Sequence, residues 1–194
     1  MAPVIPHIRS LGEPESDVEL VQRIQLNEPE AFAELYRRYR LGIYQYCFWL
    51  LQDHYSAEDA TQETFIKAFK AIKNLREAAR FKAWIFTITR NEVFAHLRCT
   101  KSNGLEEERV AEEQGSPYEE LVNQEQKELV QRFLGELKPE YREALILLEY
   151  EQLSYAEIAS ITGSSLSAIE SRIFKARKSL SKKLKPYFTE RNKS

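Results

Sequence analysis

Apolar residues recur along this chain at steps of three and four, the spacing of one helical face. The longest stripe runs through Phe32, Leu35, Tyr36, Tyr39, Ile43, Cys47 and Leu50. Asn27-Glu28-Pro29-Glu30 precedes it and predicts a helix start, with Asn27 as cap and Glu30 at the capping-box position. A shorter helix, Val18 to Leu26, comes before and carries Val18, Val21 and Ile24. Ser56-Ala57-Glu58-Asp59 predicts the next start, with Ser56 as cap, and Ala60, Phe65, Ala68, Phe69 and Ile72 continue it. The stretch from Asn74 to Lys82 breaks the pattern and is rich in Arg and Lys. Phe81, Trp84, Ile85, Ile88, Asn91 and Ala95 then trace another face. No strand-like alternation of useful length occurs, so the fold class is all-α.

The second half repeats the logic. Ser116-Pro117-Tyr118-Glu119 places Pro at a first helical position and Glu at the capping-box site, predicting a helix that runs towards Leu137. Lys138-Pro139 stops it and begins another, whose stripe is Tyr141, Ala144, Leu145 and Leu148. Ser154-Tyr155-Ala156-Glu157 is a further capping box, followed by Ile158, Ala159 and Ile161. Gly163 permits the left-handed turn that ends this helix. Ser165 or Ser167 can cap the next, which carries Ile169, Ile173, Ala176 and Leu180. A helix-turn-helix needs a small residue where its helices touch, Gly in the turn and an apolar anchor on the second helix. Ala159, Gly163 and Ile169 supply these in order.

Composition and charge then change the picture. The chain has 194 residues, 43% hydrophobic and 30% charged, enough apolar material for a core. Two cysteines, Cys47 and Cys99, are too few for a disulfide scaffold, and three histidines without Cys-x-x-Cys give no zinc-like cluster. No apolar h-region opens the chain and no apolar run is long enough to span a bilayer. These features predict a cytoplasmic protein with no membrane insertion. No nucleophile–base pair or metal cluster supports an enzyme, and no cofactor is expected.

The net charge of −2 argues at face value against a polyanion partner. Resolved along the chain, it does not. Residues 102–125 hold one basic and eight acidic side chains, a net of −7. From Lys67 to Lys101 nine basic residues face only Glu77 and Glu92, and from Leu166 to Ser194 nine face only Glu170 and Glu190, each a net of +7. Two basic surfaces are masked by an acidic segment. That segment opens at Ser102-Asn103-Gly104 and closes at Gly115-Ser116-Pro117, a linker composition that is equally well a solvated helix or loop. The expected units are residues 17–101, an acidic linker over 102–116 and residues 117–190.

Each basic stretch contains a candidate site. Trp84, Ile88 and Asn91 share one helical face. Such a stripe reads first as core, with Asn91 at its edge. Aromatic rings beside Lys and Arg are also what single-stranded nucleic acid needs, and a neutral amide can read an unstacked base. In the second stretch, the helix after Gly163 leads into Lys175, Arg177, Lys178, Lys182, Lys183 and Lys185. A recognition helix enters the major groove with its N-terminal part while basic residues hold phosphates. Ser167, Glu170, Ser171 and Lys175 face away from the anchors Ile169 and Ile173, so they are positioned to read bases. Glu170 can accept from cytosine N4, and Arg172 can point to phosphate.

At this point the sequence resembles a known family. Asp59-Ala-Thr-Gln62-Glu63-Thr-Phe65-Ile-Lys67-Ala-Phe69 is similar to the core-polymerase-binding segment of bacterial sigma-70-type factors. Phe81-Lys-Ala-Trp84-Ile-Phe-Thr-Ile88-Thr-Arg-Asn91 resembles their −10 segment. Leu153-Ser-Tyr-Ala-Glu-Ile-Ala159 and Ser171-Arg172-Ile-Phe174-Lys-Ala-Arg177 resemble their −35-binding helix-turn-helix. Length and spacing match the extracytoplasmic-function (ECF) group, and the likeness covers residues 17–185.

The resemblance implies a sigma-2-like helical bundle and a sigma-4-like helix-turn-helix domain joined by the acidic linker. It implies that Asp59, Gln62, Glu63, Phe65 and Lys67 contact core RNA polymerase, through its β′ and β subunits. Leu75, Arg76, Arg80, Lys82, Trp84, Ile88 and Asn91 would hold single-stranded −10 DNA. Ser167, Glu170, Ser171, Arg172, Phe174, Lys175, Arg177 and Lys178 would meet duplex −35 DNA. It also implies an anti-sigma partner and no bond chemistry. The chain departs from the family pattern at Glu170, where a basic residue is common, at Leu148, where Arg is common, and at Gln152, where Gly is usual. These imply one fewer phosphate contact. The charge pattern adds the expectation that the free chain closes on its own basic faces. The competing readings are a stand-alone helix-turn-helix regulator, which has no use for the Asp59–Phe69 segment, and an all-helical adaptor without a nucleic-acid role.

Overall fold

A computed structural model describes residues 15–102, 129–130 and 132–191. The described residues fold into helices and turns, as the periodicity predicts. The first half holds α1 (Asp17–Gln25), α2 (Ala31–Leu51), α3 (His54–Ala71) and α4 (Phe81–Ser102). Two short 3-10 turns, Ile72–Asn74 and Ala78–Arg80, occupy the basic interruption before α4. The second half holds α5 (Pro139–Glu149), α6 (Tyr155–Thr162) and α7 (Leu166–Arg191). The acidic linker and most of the helix expected before Leu137 lie outside the described residues; residues 132–135 are helical.

Two predicted starts are corrected. Asn27 does not cap α2. It sits in the left-handed region at φ 69°, and α2 begins at Ala31 behind Glu30, whose side chain makes no cap bond. Ser56 does not cap α3. Asp53 does, its carboxylate accepting from the Ser56 N–H at 2.8 Å, so α3 begins at His54. An Asp three residues ahead of a Ser competes for the same job, and the extended backbone at Asp53 decides it. Ser154 caps α6 with the full reciprocal box through Glu157. Gly163 ends α6 at φ 63°, and Ser165 accepts from the Ala168 N–H to open α7.

In the N-terminal half α2 packs on α1, α3 and α4. Its core is Leu20, Ile24, Leu35, Ile43, Cys47, Phe65, Phe81, Ile85 and Phe86. Phe32, Tyr36 and Phe65 meet edge to face, and Tyr46 meets Phe86 likewise at 5.6 Å.

The same core continues into the C-terminal half through Ala144, Ile146, Leu147, Leu153, Ile158, Ile161, Ile169 and Ile173. A separate cluster, Leu134, Leu137, Leu145 and Ala176, lies on the far side of α5. Helix α5 is therefore sandwiched. Its predicted stripe of Tyr141, Ala144, Leu145 and Leu148 is too narrow, because Arg142, Glu143, Ile146 and Leu147 are buried as well. A helix apolar on most sides belongs between layers rather than on one. Helix α5 packs on α2 and α7, and α6 packs on α4, so the two halves are closed against each other.

Candidate nucleic-acid interface

Helix α7 presents the second basic stretch. Ile169, Ile173 and Ala176 point inward and are buried, while Ser167, Glu170, Ser171, Phe174, Lys175, Arg177 and Lys178 are exposed. The expected reading face is thus brought together on one side of one helix. Phe174 is 66% exposed and Leu166, at the start of the helix, 49%. An apolar side chain on such a face suits a thymine methyl. A groove of about 410 Å³ runs beside it, lined by Tyr155, Glu170, Ile173, Phe174, Arg177, Lys178 and Ser181.

Two of the expected contacts are differently disposed. Arg172 turns inward, half-buried, and donates to Ser164 Oγ at 2.9 Å, which braces the turn between α6 and α7. Arg177 pairs with Glu149 of α5 at 2.5 Å, and the partner holds its guanidinium pKa above the ordinary value. That pair is half-exposed, so phosphate can compete for the cation.

The −10 candidates are distributed over the 3-10 turns and α4. Arg76 and Arg80 are exposed, and Arg80 pairs with Glu77 at 2.9 Å. Leu75 is half-buried, its carbonyl accepting from Gln25 at 2.8 Å. Trp84 and Ile88 are half-buried against the core, with Phe81 and Trp84 rings 5.8 Å apart, and Asn91 is exposed. The inner edge of this stripe is core and its outer edge is open.

Lys82 stands apart from the other candidates, as does Arg90 of the same helix, which sequence reading did not single out. Lys82 Nζ donates to the Glu151 carbonyl and lies 3.7 Å from its carboxylate. Arg90 Nε lies 2.8 Å from Glu143 Oε1, the same oxygen that accepts the Tyr46 hydroxyl at 2.9 Å. Glu143 is 1% exposed. Burial pushes its carboxyl above the ordinary value, while Arg90, Tyr46 and the nearby Arg172 pull it back down. Burial raises Glu151 in the same way against Lys82. Residue-level sequence reading did not single out Glu143, Glu151 or Tyr46. Each lies far from its partner along the chain, and nothing local marks the pairing.

The core-binding candidates lie on α3. Asp59 and Gln62 are exposed and Glu63 is half-buried; Asp59 faces His96 of α4 at 3.4 Å. Lys67 is exposed and pairs with Glu92. Phe65 is 5% exposed and holds α3 to α2, so it shapes this surface from beneath. Beside Gln62 a cavity of about 430 Å³ is lined by Tyr36, Arg40, Leu41, Tyr44, Glu58 and Thr61. Sequence reading missed Leu41, which is 62% exposed; an apolar side chain just off the long stripe was the available signal.

Among the described residues no helix is long and apolar enough to cross a membrane, and no group of His, Cys, Asp or Glu is arranged to hold a metal ion.

Comparison with known proteins follows this geometry. Residues 35–103 match the family model for Sigma-70 region 2, and residues 127–180 that for Sigma-70 region 4. The chain is 31% identical to RNA polymerase sigma-H factor of Pseudomonas aeruginosa, over 91% of this chain and 97% of that one. It is 28% identical to the ECF RNA polymerase sigma-E factor of Haemophilus influenzae, over 91% and 99% respectively. The solved structure of the sigma factor RpoE with the anti-sigma factor NepR from Bartonella quintana is similar at TM-score 0.67. It is 29% identical and covers 79% of this chain and 96% of that one.

Proposed function

The chain belongs to the sigma-70 family of RNA polymerase sigma factors, in its ECF group, and on that premise we propose which surfaces carry each step of its work. It binds core RNA polymerase and directs promoter recognition and transcription initiation; the bond chemistry is the polymerase's. The exposed face of α3 around Asp59, Gln62 and Glu63 takes the polymerase, with Leu41 and the neighbouring cavity extending that surface. The outer edge of α4, from Trp84 to Asn91, takes the −10 strand, Asn91 reading a base lifted from the stack. Flipping a base costs a few kcal/mol, which capture against Trp84 and Ile88 offsets. The open face of α7 reads the −35 duplex through Ser167, Glu170, Ser171, Phe174 and Lys175, while Lys178 and Arg177 hold phosphates. The acidic segment 102–116 separates the unit over 17–101 from that over 117–190.

The observation that supports this most is the order of the three surfaces: α3 carrying Asp59 and Glu63, basic α4, then a helix-turn-helix ending in basic α7. A stand-alone regulator would need only the last. An anti-sigma factor that covers both basic faces is the partner expected besides polymerase and DNA, and such partners place the chain in the cytoplasm.

Core polymerase pull-down tests the first step. Wild type is retained, and reversing Asp59 and Glu63 to Lys lowers retention at least tenfold while helicity stays unchanged. Failure of wild type to be retained overturns the reading.

A further inference from the structure

Leu166, Glu170 and Phe174 stand one turn apart on one face of α7, and all three are exposed, Leu166 by 49% and Phe174 by 66%. At the three- and four-residue spacings Glu170 has Leu166, Ser167, Ile173 and Phe174, so no cation at those positions neutralises it. It borders the groove lined also by Tyr155, Phe174, Arg177 and Lys178, where Arg177 is taken by Glu149. Arg172 turns to Ser164. The guanidinium forks that would read guanine are thus directed elsewhere.

An exposed carboxylate between two apolar side chains is a poor surface for phosphate and a selective one for a base edge. In the major groove a carboxylate can only accept, and the donors it meets are cytosine N4 and adenine N6. Adenine sets its N7 acceptor beside that donor, which repels an anionic oxygen, whereas cytosine sets its apolar C5 edge there. Guanine and thymine present acceptors instead. The apolar feature of the groove is the thymine methyl, the natural match for the side chains one turn either way. From Leu166 to Phe174 the helix rises about 12 Å, against about 3.4 Å per base step. The stripe covers roughly three to four steps, with the carboxylate at its middle.

We propose that this stripe sets the base specificity of the −35 contact: Glu170 selects a cytosine, and Leu166 and Phe174 each select a thymine within about two base steps of it. This rests on the −35 assignment of α7 and adds the sequence that α7 chooses. Leu166 lies outside the face that the motif marks, yet it is the first residue of α7 and leads the part of a recognition helix that enters the groove. The carboxylate also works by exclusion, since an acceptor base placed against it is repelled.

The full-length chain, alone and in complex with core polymerase, selects from linear duplexes that carry a randomised stretch. Wild type, Glu170→Gln, Leu166→Ala and Phe174→Ala are compared, with helicity checked by circular dichroism. Wild type should favour cytosine at one position about tenfold over the other bases. Glu170→Gln should move the preference there to adenine, which a Gln amide pairs at N6 and N7, and leave the neighbouring positions alone. Replacing thymine by deoxyuridine removes only the methyl and should weaken wild-type binding about fourfold at each flanking position. Leu166→Ala and Phe174→Ala should each lose that discrimination at one of them. A cytosine preference that survives Glu170→Gln overturns the proposal, as does wild-type indifference to deoxyuridine or the absence of any preference in both samples. The core pull-down is scored separately. A wild type that fails it removes the polymerase reading, while selection by the free chain still decides the base assignment.

Discussion

Glu143 concentrates the molecule's residue-level logic. It sits in a run that reads as an amphipathic helix, at a position where the stripe predicts solvent, and it is nearly inaccessible. Burial of a carboxylate is unfavourable unless it is paired and hydrogen-bonded, and Arg90 with Tyr46 supplies both. None of this could be read from the sequence, because the partners are 53 and 97 positions away. What could be read was local: the inward Ile169 and Ile173, the outward Glu170 and Ser171, the exposed Asn91. Burial holds the Glu143 and Glu151 carboxyls above their ordinary value, against the pull of Arg90 and Lys82.

Among the elements, α6 and the turn after it were the most legible. Ser154, Glu157, Gly163 and Ser165 do what their side chains allow in any context, since caps and left-handed turns depend on neighbours within four residues. The start of α3 was misread where two capping side chains stand close together and backbone geometry chooses between them, and that of α2 because Asn27 sits in a left-handed turn and no side chain caps the helix. Helix α5 was recognised as a helix but not as a buried layer. Its apolar run from Ala144 to Leu148 marks burial on several sides, yet not against what. Gln152 holds a left-handed φ of 54°, a conformation that favours glycine, and its side-chain amide donates to the Glu149 carbonyl. The turn at Gly163 has open space beside it, so Gly163→Ala tests backbone strain alone. It should lower stability by about 1–2 kcal/mol in urea unfolding. Ser154→Ala should cost about 1 kcal/mol by removing the cap. An unchanged midpoint for both would contradict this account of the helix-turn-helix.

Across the whole molecule, a net charge of −2 conceals two sequence stretches of +7. The structure shows where part of that charge goes: Lys67, Lys82, Arg90 and Arg177 are all paired with carboxylates from other helices or loops. The fold class was legible from periodicity and the family from motif; the packing of one half on the other was not. A chain that directs polymerase to open a promoter is revealed most directly by run-off transcription with core polymerase on genomic fragments. Wild type should give discrete transcripts and permanganate-reactive thymines near −10, and Asn91→Ala should bind core normally while losing most of both. Core binding without any promoter-dependent transcript, or an unchanged footprint with Asn91→Ala, would contradict the account.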